Sequence, residues 1–116
     1  MSDALHQLRD ELRAFAAERD WDPFHSPRNL ATALAVEAVE LLEPFQWLTD
    51  EQSRDPSPET RAAVEEELAD VLLYLVRLAD KLGVDLEQAA RAKIVRNAAK
   101  YPIDKAKGSA RKYTEL

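Results

Sequence analysis

Cysteine is absent from these 116 residues. That excludes a disulfide framework, a thiolate nucleophile and a zinc-thiolate site. Glycine occurs only twice, and no stretch alternates apolar and polar residues with period two, so a sheet is not expected. The two histidines, His6 and His25, stand too far apart to form an H-E-x-x-H pair. Basic residues are outnumbered, 16 Lys and Arg against 22 Asp and Glu for a net charge of −6, which argues against stable, sequence-independent nucleic-acid binding. It still allows a polyanionic ligand, because a divalent cation inverts the local charge. Long apolar runs are missing too. The longest, Val71 to Val76, is far too short to cross a bilayer, and MSDALHQLRDEL carries acids where a signal peptide has its apolar stretch. The expectation is a cytoplasmic protein with no membrane partner.

What remains is rich in Leu, Ala and Glu, with 46% hydrophobic and 33% charged residues, the composition of a globular domain with exposed helices. The expected fold is all-α: a four-helix bundle-like protomer. A single domain is expected over residues 1–102, followed by a basic tail over 103–116. The first helix runs from about Asp3 to Arg19 on a stripe of Leu5, Leu8, Leu12 and Phe15. Trp21, Asp22, Pro23, Phe24 and His25 then form an aromatic turn, which either plugs the end of the bundle or stacks on a ligand. Ser26 with Pro27, and again Ser57 with Pro58, supply N-cap and N1 residues for the second and third helices. Pro44 loosens the second helix near Glu43. Thr49 to Ser57 reads as a polar surface loop. Gly83 ends the third helix, Asp85 with Gln88 opens the fourth as a capping box, and Pro102 stops it. The tail IDKAKGSARKYTEL lacks an apolar stripe and reads as a solubilising end.

The stretch that organises the chain is AVEEELADVLLYLVRLADKL, Ala63 to Leu82. At helical spacing Val64, Leu68, Val71, Leu75, Leu78 and Leu82 predict an inward face. Glu67 and Asp70 stand on the same side, three residues apart, with Tyr74 one turn further. A carboxylate there needs a cation, hydrogen bonds or water; alone, the pair also reads as the charged opening of a surface helix. A second pair upstream changes the balance. Leu30, Leu34, Glu37 and Leu41 share one face of the second helix, and Glu40 lies beside Glu37. Joined by a short loop, the second and third helices should pack antiparallel. Glu40 and Glu37 precede Trp47 by seven and ten residues, whereas Glu67 and Asp70 follow Pro58 by nine and twelve. At about 1.5 Å of rise per residue, the two pairs reach nearly the same height. Four converging carboxylates repel one another unless a cation neutralises them, and a set of hard oxygen donors suits Mg²⁺ or Mn²⁺.

E-A-V-E at 37–40 and E-L-A-D at 67–70, with 26 residues between, resemble the E-x-x-E…E-x-x-D signature of the MazG-type all-α nucleoside triphosphate pyrophosphohydrolases. AERDW at 17–21, FHSPRNL at 24–30, EPFQW at 43–47, EELADVLLYLV at 66–76, NAAKYP at 97–102 and SARKYTEL at 109–116 resemble the dCTP pyrophosphatase branch. The resemblance implies a helical oligomer that converts a deoxynucleoside triphosphate, dCTP or a modified dCTP, to the monophosphate and pyrophosphate with Mg²⁺, cleansing the nucleotide pool. It assigns Glu37, Glu40, Glu67 and Asp70 to the metal and to catalysis. It places Trp21, His25, Trp47 and Tyr74 near the nucleotide, and Lys93, Asn97 and Tyr101 at its triphosphate and sugar end. Two positions depart from the branch: Leu12 stands where vertebrate members carry a His near the base, and Pro44 replaces an aliphatic residue. A related enzyme acting on dUTP or phosphoribosyl-ATP is the first alternative. A non-catalytic helical assembly module is the second. Residues 71–76 are apolar around almost the whole helix, so a homodimer or homotetramer is expected through that segment.

Overall fold

The computed structural model describes residues 3–116, all of whose regular elements are helical; Met1 and Ser2, the first residues of the expected domain, lie outside them. The chain divides into two compact units, one reaching Val84 and the other beginning at Asp85. The boundary expected at residue 102 therefore falls inside the second unit. No helix among the described residues is long and apolar enough to cross a membrane.

In the first unit, α1 (Asp3–Glu18) ends where Asp20 takes a left-handed conformation, φ 55°. The Trp21 amide then returns to the Ala16 carbonyl at 2.9 Å, closing the last turn and turning the chain at Trp21. A 3-10 turn at Asp22–Phe24 follows. Ser26 accepts from the Asn29 amide at 3.1 Å to start α2 (Pro27–Leu42), with Pro27 in the first turn. Pro44 does what its ring dictates: α2 stops at Leu42 and the chain tightens into a 3-10 turn at Glu43–Phe45.

The segment expected as a loop contains a further helix, α3 (Asp50–Arg54). Thr49 and Gln52 form a reciprocal capping box, and T-x-x-Q is a helix-start signal that outweighs the polar composition of the segment. Ser57 caps α4 (Pro58–Leu82), which ends at Gly83 with φ 66°. There the Val84 amide reaches the Ala79 carbonyl at 2.9 Å.

Helix α4 packs chiefly on α2 and then on α1. The core is small: Ala16, Leu30, Val76 and Ala79 are buried. The inward face expected for α4 is partly corrected by the packing. Val64, Val71 and Leu78 are half-buried, as are Glu67, Asp70 and Tyr74 on the same side, but Leu68, Leu75 and Leu82 are exposed, Leu68 to 53%, and Arg77 is buried in their place. Where a helix is apolar almost all round, periodicity alone does not choose the side that faces its neighbours.

The second unit holds α5 (Leu86–Lys100), capped by Asp85 on the Gln88 amide at 3.0 Å. Its C-terminal segment is more ordered than a solubilising tail requires. It forms α6 (Ile103–Ala106) and a 3-10 turn at Tyr113–Glu115. Tyr113 meets the Tyr101 ring edge-on at 5.8 Å and lies under the Lys100 ammonium at 4.9 Å.

Candidate active site and metal centre

Glu37 comes from the C-terminal half of α2, Glu67 from the N-terminal half of α4 and Asp70 from its midpoint. Oxygens of the three carboxylates all lie within 4.8 Å of one another. At the other end of the pair, His25, just before α2, hydrogen-bonds Arg77 late in α4. The two helices are therefore antiparallel, and it is this pairing that brings the acids to one level. Glu40, one turn beyond Glu37, borders the group without belonging to that 4.8 Å set.

The electrostatics are those of an unneutralised cluster. The Glu67 carboxyl beside it, together with enclosure, pushes the Glu37 carboxyl above the usual range. Glu40 is pushed up mainly by Glu37. Glu37 Oε2 and Glu67 Oε2 are buried and have no hydrogen-bond partner, a costly state for carboxylate oxygens unless a cation meets them. Several oxygen donors of one sign, two of them orphaned, fit a hard divalent metal. The cluster can hold one.

Beside it lies a cavity of about 160 Å³, lined by Leu12, Phe15, Ala16, Trp21, His25, Asp70, Leu73, Tyr74 and Arg77. Asp70 thus belongs to both the acid cluster and the cavity wall. Phe15 and Trp21 meet edge-on at 5.6 Å, and Trp21 and His25 at 6.3 Å, giving an aromatic wall suited to a flat ligand.

Of the residues singled out from the sequence, Trp21, His25 and Tyr74 line this cavity. Trp47 does not; it is 88% exposed beyond the Pro44 turn. Lys93, Asn97 and Tyr101 belong to the second unit, the first two exposed along α5. Arg77 and Phe15 were missed as site residues. The available signal for Arg77 was a lone charge inside the apolar stretch 71–79, at helical spacing from Asp70 and Tyr74.

The fold and site define an all-α helical protein that sets an acid cluster beside an aromatic cavity, and the comparisons narrow that class. The model of the MazG-like family matches residues 32–116, and the chain belongs to that family. It is 50% identical to dCTP pyrophosphatase 1 of Bos taurus and 51% identical to dCTP pyrophosphatase 1 of Homo sapiens. Each match spans 114 residues and 97% of this chain, and covers 68% and 67% of the two relatives. A solved structure of a pyrophosphatase from Archaeoglobus fulgidus superposes with a TM-score of 0.81 at 37% identity, over 88% of this chain and 95% of that one.

Proposed function

We propose that this protein is a nucleoside triphosphate pyrophosphohydrolase that converts dCTP, or a modified dCTP, to the monophosphate and pyrophosphate, cleansing the nucleotide pool. The observation that carries the reading is the carboxylate cluster, with two orphaned oxygens, opening beside an aromatic cavity. Its relatives' activity and their identity over nearly the whole chain support it. A cytoplasmic location belongs to the same proposal, since the substrate is a nucleoside triphosphate pool.

Glu37, Glu67 and Asp70, with Glu40 beside them, would hold the metal, Mg²⁺ or Mn²⁺. The chemistry such a cation supplies there is Lewis acidity toward phosphate oxygens and water. The chain's own side chains do the rest. Trp21 and Tyr74 bracket the base and exclude water from it, while His25 supplies a polar edge. Stacking of this kind contributes affinity with little choice of base, about 1–3 kcal/mol per base. Pyrophosphate leaves readily, so the protein's work is positioning and charge stabilisation, with one carboxylate accepting the proton of the attacking water. Trp47, Lys93, Asn97 and Tyr101 are the remaining proposed nucleotide contacts, the last three for the triphosphate and sugar.

The proposal includes a homodimer or homotetramer assembled through α4. Leu68, Leu72 and Leu75 are exposed at helical spacing on α4, with Val36 and Val39 exposed on α2, a larger apolar surface than single scattered residues leave. Residues 85–116 carry eight Lys and Arg against four Asp and Glu, while residues 1–84 carry eight against eighteen. That opposition of charge favours association between copies. Leu72→Glu should turn the oligomer into a monomer in sedimentation; a wild-type monomer at micromolar concentration argues against the assembly.

Leu12 lines the cavity with an apolar side chain, which favours a second reading in which another triphosphate, such as dUTP, is accepted as well. The deciding experiment is a screen of nucleoside triphosphates with Mg²⁺, detecting pyrophosphate and orthophosphate separately. Pyrophosphate released fastest from dCTP supports the proposal. Orthophosphate as first product, or a rate unaffected by EDTA, refutes it.

A further inference from the structure

Arg77 is 5% exposed, and among the described residues no other charged residue is so enclosed. A guanidinium without water must place its donors on protein acceptors. Arg77 places three. Its Nε–H donates to His25 Nδ1 at 3.1 Å, one terminal nitrogen to Asp22 at 2.7 Å, and the other to Asp80 at 3.4 Å. Each carboxylate also has a second cation, Lys81 on Asp22 and Arg13 on Asp80. Charge balance therefore does not require Arg77. The contact that distinguishes it is the one to His25.

A guanidinium only donates, so the nitrogen that accepts from it carries no proton. The proton of the neutral imidazole then sits on Nε2, and the ring is fixed in one tautomer and one orientation. The surroundings favour the neutral ring: enclosure first, then the positive charges of Arg77 and Lys81, hold His25 below the usual histidine range, opposed by Asp22. His25 and Arg77 both line the cavity.

We propose that Arg77 is a positioning residue that fixes His25 as a hydrogen-bond donor through Nε2–H, so that the nucleotide group paired with His25 is an acceptor. That group is a carbonyl oxygen or an unprotonated ring nitrogen on the edge of the base. This inference rests on the nucleotide reading of the cavity. Without Arg77 the ring samples both tautomers, and part of the population turns a lone pair toward the acceptor.

The test is a double-mutant cycle with a spectroscopic arm. Arg77→Met keeps the length of the side chain and removes its donors. With dCTP as probe, it should raise KM about tenfold and leave kcat within about twofold, as expected for loss of an oriented binding contact. In a His25→Ala background the same substitution should change KM by less than about twofold, because the group it acts through is gone. In ¹⁵N spectra of the unliganded protein, His25 should show a protonated Nε2 and a bare Nδ1, and Arg77→Met should shift both toward a tautomer average. A wild-type proton on Nδ1 overturns the proposal. So does an Arg77→Met effect undiminished in the His25→Ala background, which makes Arg77 a direct ligand contact or a purely structural residue. If wild type hydrolyses no triphosphate, the nucleotide reading fails by itself, and the spectra still decide whether Arg77 sets the tautomer. Should Arg77→Met not fold, Arg77→Gln, which offers both a donor and an acceptor to Nδ1 and so does not fix the tautomer, carries the same readouts.

Discussion

The two halves of α4 handle charge in opposite ways. Toward its start, Glu67 and Asp70 face Glu37 across the helix pair with no cation among them, and two of the oxygens lack any partner. Three turns later Arg77, Asp80 and Lys81 meet Arg13 and Asp22 in a network where every carboxylate touches two cations. The second group is complete in itself; it ties α1 and the Trp21 turn to α4 and supports the cavity wall. The first group is complete only with something added. Charge placement along one helix thus separates a self-neutralised network from an acid cluster that a cation can neutralise.

The largest effect should come from breaking the incomplete end. Glu67→Gln and Asp70→Asn each remove one hard oxygen ligand and should lower kcat by at least about a hundredfold, since disturbing even the groups behind metal ligands costs 10- to 100-fold. Without metal, both variants should unfold at the same temperature as wild type or higher, because each relieves repulsion. Matched loss of activity and stability would identify a structural role instead. Adding Mg²⁺ at about a hundredfold excess over its Kd should raise the wild-type Tm by roughly 10 °C and leave Glu67→Gln nearly unmoved.

The next effect sharpens the contrast through pH. Glu37 and Glu40 sit above the ordinary glutamate value of 4.5 in the folded protein, so the folded state binds the extra proton. Their contribution to stability is full below 4.5 and is lost as pH rises through the raised values. Asp22 and Asp80 sit below the ordinary 3.8, through Lys81 and Arg13 respectively. Their contribution is present above 3.8 and is lost as pH falls toward the lowered values. Denaturant titrations of metal-free protein should therefore show Glu37→Gln flattening the decline above pH 4.5, and Asp80→Asn flattening the decline below pH 3.8. The same slope change from both variants would remove the distinction between the two ends.

The smallest effect lies just past the complete end. Gly83 holds φ 66° with nothing within 4 Å of a Cβ placed there, so Gly83→Ala adds backbone strain alone. About 1 kcal/mol of stability should be lost, with kcat unchanged. A measurable loss of activity would mean that the C-terminal end of α4 is coupled to the acid cluster.

Much of the fold is legible in the chain itself. The caps at Ser26, Ser57 and Asp85 and the stop at Gly83 depend on side chains bonding their own nearest backbone amides and on one permitted φ value, so local sequence suffices. The matching heights of the two acidic pairs follow from counting residues along two helices joined by a short connection. The T-x-x-Q start of α3 was just as local, and polar composition obscured it.

What needed the tertiary structure was every choice between equivalent faces. Helix α4 is apolar almost all round its middle, so nothing local says that Leu68 and Leu75 face out while Arg77 is enclosed. The partners of Arg77 lie 52 and 55 residues away at His25 and Asp22, and Arg13 and Asp80 are 67 apart; no periodicity reports such distances. Local order along the chain accounts for the caps and stops of the main helices and for Glu37 reaching the level of Glu67 and Asp70. Only packing decided which side of α4 is enclosed, because burial is a property of neighbours and the chain's local order does not name them.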